Sequence, residues 1–190
     1  MKIYLIRHGE TEYNRRHLFY GKTDVSINQT GIEQAYLLAE KFEKLNIDAI
    51  VYTSSLQRTI ETAKRIFPNQ TTISLEALDE KDFGAWEGMT ADQISSDFPV
   101  EWEQWLLSPF EYTPKNAERF SDFQYRILNC FEKLLQKKED FVIVGHLGGL
   151  RTILKKCFPE LDFWGIVLEQ GNYTIIEAEN SLFKIIEWNT

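Results

Sequence analysis

A histidine and an arginine stand together where a short apolar run gives way to polar residues. Residues 3–6 read Ile-Tyr-Leu-Ile, and Arg7 and His8 follow directly. Such a run predicts a buried strand, and a side chain at its end is held rigidly while one face stays open to a small molecule. His8 could therefore react, and Arg7 favours an anionic substrate. For His8 alone, a histidine that merely ends a strand is the simpler alternative.

A second histidine follows a second apolar run. Residues 141–144 read Phe-Val-Ile-Val, and Gly145 and His146 come next, whereas the third histidine, His17, lies in a polar stretch. The carboxyl ends of parallel strands meet at one edge of a sheet, where ligands bind. We therefore expect His8 and His146 to share one site.

Two arginines could hold a phosphoryl group at that site. Arg7 adjoins His8, and Arg58 lies one turn into the helix predicted after the second strand. A guanidinium binds phosphate oxygens through two parallel hydrogen bonds, and the amino end of a helix adds backbone N–H donors. Taken alone, Arg58 could equally be an exposed helix residue. Together with the histidines, the arginines predict a phosphate site.

Phosphoryl transfer to a neutral imidazole forms a phosphohistidine and needs no metal. The departing alkoxide needs a proton and the attacking water needs a base, so one carboxyl group could serve both steps. Residues 78–88 contain four candidate acids: Asp79, Glu80, Asp82 and Glu87. Composition does not choose among them, and a solvated acidic loop is the simpler alternative.

The elements that must position these groups alternate between strand and helix. Strands are predicted at 3–6, 49–52, 72–75 and 141–144, and helices from Asn28 to about 46, from Ser54 or Ser55 to 67, over 118–138 and after His146. A closing hairpin is predicted at 172–178 and 182–188 around a turn at 179–181. The order predicts an α/β fold, a three-layer α/β/α sandwich with a largely parallel central sheet. Region 82–117, with capping-box spacing from Thr90 to Gln93, predicts a small, mostly helical cap insertion.

Composition predicts a single domain over 1–190 and excludes several classes of protein. The net charge of −8 disfavours binding to nucleic acid and to anionic lipid, and no apolar run approaches the roughly 20 residues that span a bilayer. Cys130 and Cys157 lie in apolar helical patterns without a CxxC motif, which favours reduced thiols. Because the first residues already read as strand, we expect a cytoplasmic protein. The expected partner is a small phosphate ester, and a homodimer is left open.

Four stretches of the chain resemble the histidine phosphatase superfamily, in its phosphoglycerate mutase-like branch. They are residues 5–14 (Leu-Ile-Arg-His-Gly-Glu-Thr-Glu-Tyr-Asn), 21–28 followed by Gly31, 53–63 around Arg58, and 78–88. The resemblance implies a three-layer fold that works without a metal or another cofactor. It extends through most of the chain, with motifs that are specific to the family.

The resemblance also implies a role for individual residues. His8 would be the phosphorylated nucleophile, Arg7, Asn14 and Arg58 the phosphate ligands, Glu80 the proton donor and acceptor, and His146 the group that stabilises the transferring phosphoryl. Gly21, Lys22 and Leu147 would complete the phosphate or substrate site. The resemblance thus selects Glu80 among the four acids. Leu147 departs from the usual glycine, which would displace a backbone donor, and Asn116–Phe120 departs from the usual Gly-Glu-Ser stretch, which would alter substrate shape.

The cap favours a hydrolase over a mutase. It holds no arginine or lysine from Asp82 to Pro114 and is rich in aromatic residues, namely Trp86, Phe98, Trp102, Trp105, Phe110 and Tyr112. Aromatic rings in such a cap more often form their own small core than a ligand platform, but some should face the pocket. We predict a phosphomonoesterase for a small organic phosphate with an apolar or aromatic part, such as α-ribazole phosphate, or for a broad set of esters.

Three alternatives stay open. Phosphoglycerate mutase-type transfer is the first, although it calls for extra cations around a bisphosphorylated intermediate. A non-catalytic protein that binds a phospho-ligand as a regulator is the second. A zinc site formed by His8, His146 and a carboxylate is the third, and it is weaker because the chain has only two suitable histidines and no HExxH spacing.

Overall fold

The computed structural model describes residues 1–180 and 182–190. Its strands are β1 (Lys2–Arg7), β2 (Ile50–Thr53), β3 (Thr72–Ser74), β4 (Phe141–Gly145), β5 (Tyr173–Glu179) and β6 (Leu182–Glu187). Its helices are α1 (Glu12–Arg15), α2 (Gln29–Leu45), α3 (Gln57–Ile66), α4 (Ala91–Asp97), α5 (Pro99–Leu107), α6 (Phe120–Leu135) and α7 (Leu147–Cys157). The predicted hairpin turn includes residue 181, which lies outside the described residues.

The strands form one sheet in the order β3-β2-β4-β1-β5-β6. The four strands from β3 to β1 are parallel, and β5 and β6 continue the sheet antiparallel as the hairpin. β4 therefore lies between β2 and β1, so the carboxyl ends of these three strands are adjacent. The register pairs Arg7 with Gly145, which brings the residues that follow β1 and β4 to the same edge.

Each face of the sheet is covered by a pair of helices. Ile3 and Leu5 point to the face covered by α6 and α7, whereas Tyr4 and Ile6 point to the face covered by α2 and α3. This alternation follows from the two-residue period of a strand. Each fully buried aliphatic side chain contributes about 1.5–3 kcal/mol. The predicted three-layer α/β/α fold is confirmed, and its core anchors the strand ends from both sides.

Side-chain caps explain where two of the helices begin. Asn28 caps α2 by accepting a hydrogen bond from the Gly31 N–H, and Thr90 and Gln93 form the predicted capping box of α4. The prediction that Ser54 or Ser55 starts α3 is wrong, because α3 begins at Gln57. The hydroxyl of Ser54 contacts His146 instead, and the hydroxyl of Ser55 contacts Asp79.

The region between Asp82 and Ala117 holds two short helices, α4 and α5, and a cluster of aromatic rings. Trp86 is buried at its centre, and the rings of Trp102 and Trp105 stack with centroids 5.2 Å apart. Phe19 joins the cluster from outside this region. The rings pack mainly against each other, although Trp105 also lines a cavity. Among the described helices, none is long and apolar enough to cross a bilayer.

Candidate active site

His8 and His146 lie next to each other at the carboxyl edge of the sheet. His8 follows β1 and donates its backbone N–H to the Gly145 carbonyl at 3.0 Å, and His146 follows β4 as the residue before α7. Their ring centroids are 5.2 Å apart. Both side chains are buried. The structure therefore brings together the two imidazoles that the sequence placed at separate strand ends.

The hydrogen bond of His8 fixes which ring nitrogen carries the proton. Its Nδ1 lies 2.8 Å from the Gly9 carbonyl, and a carbonyl only accepts, so Nδ1 carries the hydrogen. The lone pair is then on Nε2, which has no hydrogen-bond partner in the described part of the chain. Burial, and next the positive charges of Arg58 and Arg7, hold the pKa of His8 well below its usual 6.5. His8 is thus a neutral imidazole with an available lone pair.

His146 uses both of its ring nitrogens. Arg58 donates its Nε–H to Nδ1 at 3.2 Å, so the proton of the neutral ring lies on Nε2, which donates to the Ser54 hydroxyl at 2.8 Å. The Ser54 hydroxyl also bonds the hydroxyl of Thr59 at 2.8 Å. Burial, and next the charge of Arg58, hold the pKa of His146 well below its usual value. This imidazole is neutral and fixed in orientation.

Arg58 is one of the most deeply buried side chains, with 1% of its surface exposed. Its remaining nitrogens donate to the carbonyls of Thr23 at 2.9 Å and Gly21 at 2.6 Å, and its guanidinium stacks on the Tyr20 ring at 4.7 Å. Each of these contacts restricts the plane of the guanidinium. Arg58 is therefore held in place before any ligand binds, which lowers the entropic cost of binding an anion.

Arg7 and Asn14 each present a donor without a protein partner in the described residues. Arg7 donates Nη1 to the Leu168 carbonyl at 2.9 Å, while its buried Nε makes no hydrogen bond. The Asn14 Oδ1 accepts from the Thr11 N–H at 3.1 Å and the Tyr20 hydroxyl at 2.9 Å, which leaves its Nδ2 available. The unsatisfied buried Nε of Arg7 costs about 1–3 kcal/mol, and an anion would remove that cost.

Glu80 lies against the amino end of α7. Its carboxylate accepts from the backbone N–H of Lys81 at 2.9 Å and of Gly148 at 3.0 Å. A Cβ at position 148 would lie 2.5 Å from Oε1 of Glu80, so a side chain there would displace the carboxylate from this position. From α6, Arg126 donates to the Glu80 backbone carbonyl at 3.1 Å. The helix that carries His146 as its cap thus also holds the Glu80 carboxylate.

The three other acids of the loop have structural contacts. Asp79 accepts from the Ser55 backbone N–H at 2.7 Å, and Asp82 accepts from the Gly84 N–H at 2.7 Å. The Glu87 carboxylate accepts from the backbone N–H of Gly21 at 2.8 Å, of Thr23 at 3.1 Å and of Phe83 at 2.9 Å. Glu87 thereby forms a clamp that joins residues 21–23, whose carbonyls bind Arg58, to the acid loop.

Gly21 and Lys22 lie beside this clamp rather than beside the imidazoles. Both backbone polar groups of Gly21 are engaged, one with Glu87 and one with Arg58. A Cβ on Gly21 would lie 1.6 Å from the Lys81 carbonyl oxygen, so the position requires glycine. The Lys22 side chain is 79% exposed, and its Nζ lies 3.9 Å from Asp82.

An apolar cavity of about 280 Å³ adjoins Glu80. It is lined by Phe19, Glu80, Lys81, Phe83, Trp105, Pro109, Phe120, Phe123, Leu147, Gly148, Arg151, Phe163 and Trp164. Leu147, the first residue of α7, is part of the wall. The predicted aromatic pocket is therefore built from the cap together with residues before it and after it in the chain.

The sequence patterns do not identify several residues of the site. They indicate Ser54 only as a helix cap and Glu87 only as a candidate acid, and they give no signal for Tyr20 or Arg126. Lys81 and Arg151 line the cavity, although residues 82–114 of the cap contain no lysine or arginine. The position of Ser54 directly after β2, at the strand next to β4, is the signal that could have placed it beside His146.

Metal binding finds no further support in the geometry. Among the described residues, no group of three or more His, Cys, Asp or Glu side chains is arranged to hold a metal ion. The two imidazoles of the site face arginines, and the ring nitrogens of His146 are both in hydrogen bonds.

Comparison with known proteins gives consistent matches along the chain. Residues 3–190 match the family model described as "Histidine phosphatase superfamily (branch 1)". Phosphoserine phosphatase 1 of Hydrogenobacter thermophilus is 26% identical over 195 residues, which cover 100% of this chain and 92% of that protein. The adenosylcobalamin/alpha-ribazole phosphatase of Salmonella typhimurium is 26% identical over 183 residues, which cover 93% and 90% of the two chains.

A solved structure shares the fold almost completely. The putative alpha-ribazole-5'-P phosphatase of Escherichia coli superposes with a TM-score of 0.93, covering 100% of this chain and 96% of that one, at 23% sequence identity.

Proposed function

The chain belongs to the histidine phosphatase superfamily (branch 1) and is a phosphatase, and on this premise we propose that it hydrolyses a small organic phosphomonoester through a phosphohistidine on Nε2 of His8. The observation that carries the proposal is the state of His8. It is a neutral imidazole whose Nε2 has no partner in the described residues, and the positive charges of Arg7, the last residue of β1, and of Arg58 in α3 act on it. No step in the proposed reaction needs a metal or another cofactor.

In the first step, Nε2 of His8 attacks phosphorus, and the bond from phosphorus to the alcohol oxygen breaks. Glu80 gives its proton to the leaving alkoxide. Arg7 Nε and Asn14 Nδ2 hold the phosphoryl oxygens together with the second hydrogens of the Arg58 Nη atoms, whose first hydrogens bind the carbonyls of Thr23 and Gly21. In the second step, water attacks phosphorus, Glu80 takes the proton of that water, the P–N bond breaks and inorganic phosphate leaves.

His146 supports the transferring phosphoryl group through Arg58, because its Nδ1 accepts the Arg58 Nε–H and thereby orients the guanidinium. Gly21 and Lys22 act on the phosphate through the loop whose carbonyls orient Arg58. Leu147 contacts the alcohol part of the substrate as part of the cavity wall.

The alcohol part of the substrate has an apolar or aromatic portion. The cavity beside Glu80 lies where a leaving group would be protonated, and aromatic side chains form most of its lining. α-Ribazole phosphate is one such compound, and the name of the Salmonella typhimurium relative supports it. A broad set of esters is the other possibility, and a substrate panel separates the two.

Phosphoglycerate mutase-type transfer is a second candidate, favoured by one observation. Lys81 and Arg151 line the cavity and supply cations, which residues 82–114 of the cap do not contain. Assay with 3-phosphoglycerate and 2,3-bisphosphoglycerate distinguishes the candidates, because a mutase interconverts phosphoglycerates faster than it releases inorganic phosphate.

The test of the proposal is to trap the intermediate. Enzyme mixed with a ³²P-labelled ester and quenched in alkali should retain one label per chain, and peptide mass spectrometry should place it on His8. The label should be lost in acid, and the His8→Ala variant should acquire none. Turnover by the wild-type enzyme with no label, or with label on another residue, contradicts the proposal.

A second experiment isolates the role of Glu80. 2,4-Dinitrophenyl phosphate has a leaving group that needs no proton. The Glu80→Gln variant should therefore release a burst of about one dinitrophenol per enzyme and then turn over slowly, because water still needs its base. Equal loss of the burst and of the steady rate contradicts the role of Glu80 as the acid.

A further inference from the structure

Arg126, on α6, binds the backbone of the loop that carries Glu80. A guanidinium has five N–H groups, and each of those in Arg126 has an acceptor. Two of them donate to the carboxylate of Glu118, from Nε at 2.7 Å and from Nη2 at 2.9 Å. The other three donate to the carbonyls of Ala77 at 3.1 Å, Asp79 at 2.6 Å and Glu80 at 3.1 Å. Three carbonyls from four consecutive residues therefore converge on one cation.

This convergence depends on the shape and charge of the guanidinium. Carbonyl oxygens that point towards one place carry partial negative charges and repel each other, and a planar cation with donors at fixed angles can satisfy them together. Glu118 orients that plane through two parallel hydrogen bonds, and its own backbone N–H donates to the Asp82 carbonyl at 3.0 Å. The Arg126 side chain is 25% exposed and that of Glu118 is 20% exposed, so water screens the pair only in part.

Two adjacent helices hold the two ends of Glu80. Arg126 on α6 binds its backbone carbonyl, whereas the Gly148 N–H of α7 binds its carboxylate at 3.0 Å. The helices pack closely at the next residue of each, because a Cβ on Gly149 would lie 3.2 Å from Cδ1 of Ile127. The position of the carboxylate therefore depends on α6 as well as on α7.

We propose that Arg126 is a positioning residue for the proton transfers of Glu80. It fixes the backbone of residues 77–80, so that the Glu80 carboxylate stays on the amino end of α7, within reach of the leaving alcohol and later of the attacking water. Arg126 touches neither the phosphate nor the alcohol. This inference rests on the proposed function, because it takes Glu80 as the acid and base of that reaction.

The test compares two esters whose leaving groups differ in their need for a proton. With enzyme in excess, release of the phenol in a single turnover reports the first step alone. Arg126→Met should slow this step for phenyl phosphate by about 10- to 100-fold, because a misplacement of about 1 Å can cost 100-fold. For 2,4-dinitrophenyl phosphate the rate should stay within about twofold of the wild type, because its leaving group needs no general acid. Calorimetry should show unchanged binding of inorganic phosphate.

Two further variants serve as references for this pattern. Glu80→Gln should show the same dependence on the leaving group, with a larger amplitude. Arg65→Met is the matched control, because Arg65 donates only to the Glu61 carbonyl of its own helix, at 2.9 Å, and it should leave both rates unchanged.

Glu118→Gln keeps the test valid if Arg126→Met does not fold. The glutamine retains an acceptor for Arg126 but loses the charge, so phenyl phosphate should be slowed several-fold and 2,4-dinitrophenyl phosphate should not. Chemical rescue adds a second measurement. Methylguanidinium should raise the phenyl phosphate rate of Arg126→Ala several-fold, whereas methylammonium at the same concentration should not, because it lacks the planar donors.

The outcomes separate this inference from the proposed function. Equal slowing of both esters by Arg126→Met, or weaker phosphate binding, overturns the inference, because Arg126 would then support the fold of the whole site. Wild-type rates with both esters overturn it as well. If the wild-type enzyme acquires no label on His8, or if Glu80→Gln shows no dependence on the leaving group, the proposed function itself fails.

Discussion

At the end of β1, the imidazole of His8 makes a single hydrogen bond, to the carbonyl of Gly9, and its Nε2 is left without a partner in the described residues. At the end of the neighbouring strand β4, the imidazole of His146 is bonded through both nitrogens, to Arg58 and to Ser54. Both rings are buried and neutral. The difference shows that burial alone does not make a histidine reactive, because the hydrogen bonds decide whether a lone pair remains available.

The largest expected effect comes from removing the free lone pair. His8→Asn should lower kcat by about 10⁴-fold, since the nucleophile of a covalent mechanism is lost. Binding of inorganic phosphate should change only a few-fold, because Arg7 and Arg58 remain. Steady-state kinetics and phosphate titration check this. Residual activity within tenfold of the wild type would contradict the assignment of His8 as the nucleophile.

A smaller effect is expected at the other strand end. His146→Gln should lower kcat by about 100-fold, because the variant loses the neutral ring that orients Arg58 but keeps the nucleophile. Phosphoenzyme should still form on His8, only more slowly, as single-turnover labelling would measure. An effect as large as that of His8→Asn would show that the two imidazoles act as one unit.

Ser54→Ala tests the hydrogen bond that holds His146. The buried Nε2–H would lose its acceptor, and we expect kcat to fall by up to about tenfold. The ¹⁵N shifts of the His146 ring should reveal a change of tautomer or of proton position. Ser55→Ala is the matched control, because the Ser55 hydroxyl binds Asp79 at 2.9 Å instead of a histidine. Equal effects from both serines would contradict the role of Ser54.

The smallest effect concerns stability. A histidine with a lowered folded-state pKa takes up its proton on unfolding, so its contribution is present above pH 6.5 and is lost as the pH falls below 6.5. Below pH 6.5, each such group makes the free energy of unfolding fall more steeply, by up to about 1.4 kcal/mol per pH unit. Urea unfolding from pH 7 downward should show this slope reduced in His146→Gln. An unchanged slope would mean that His146 is protonated in the folded protein.

The phosphate end of the site could be predicted from sequence because its residues follow strands. The apolar runs 3–6 and 141–144 predict buried strands, and the alternation of strands and helices then places His8 and His146 at one edge of the sheet. The selection of Glu80 needed the family resemblance, since its environment depends on Gly148, 68 residues away.

The leaving-group end could not be predicted in the same way. The residues that line its cavity come from separate segments and include Phe19, Lys81, Trp105, Arg151 and Trp164. No helical or strand periodicity in the sequence connects them. The absence of lysine and arginine from residues 82–114 therefore does not describe the charge around the cavity. Likewise, serine favours the start of a helix, but α3 begins at Gln57 and the Ser54 hydroxyl binds His146 instead.

The clamp formed by Glu87 has a consequence for the evolution of such chains. Glu87 accepts hydrogen bonds from two separate loops and fixes the carbonyls that hold Arg58, yet it contacts neither imidazole. Its loss would cost folding stability as well as phosphate binding. A descendant that abandoned the reaction would therefore be expected to change His8 before Glu87, so that a pseudoenzyme of this lineage would still carry the clamp long after its nucleophile had gone.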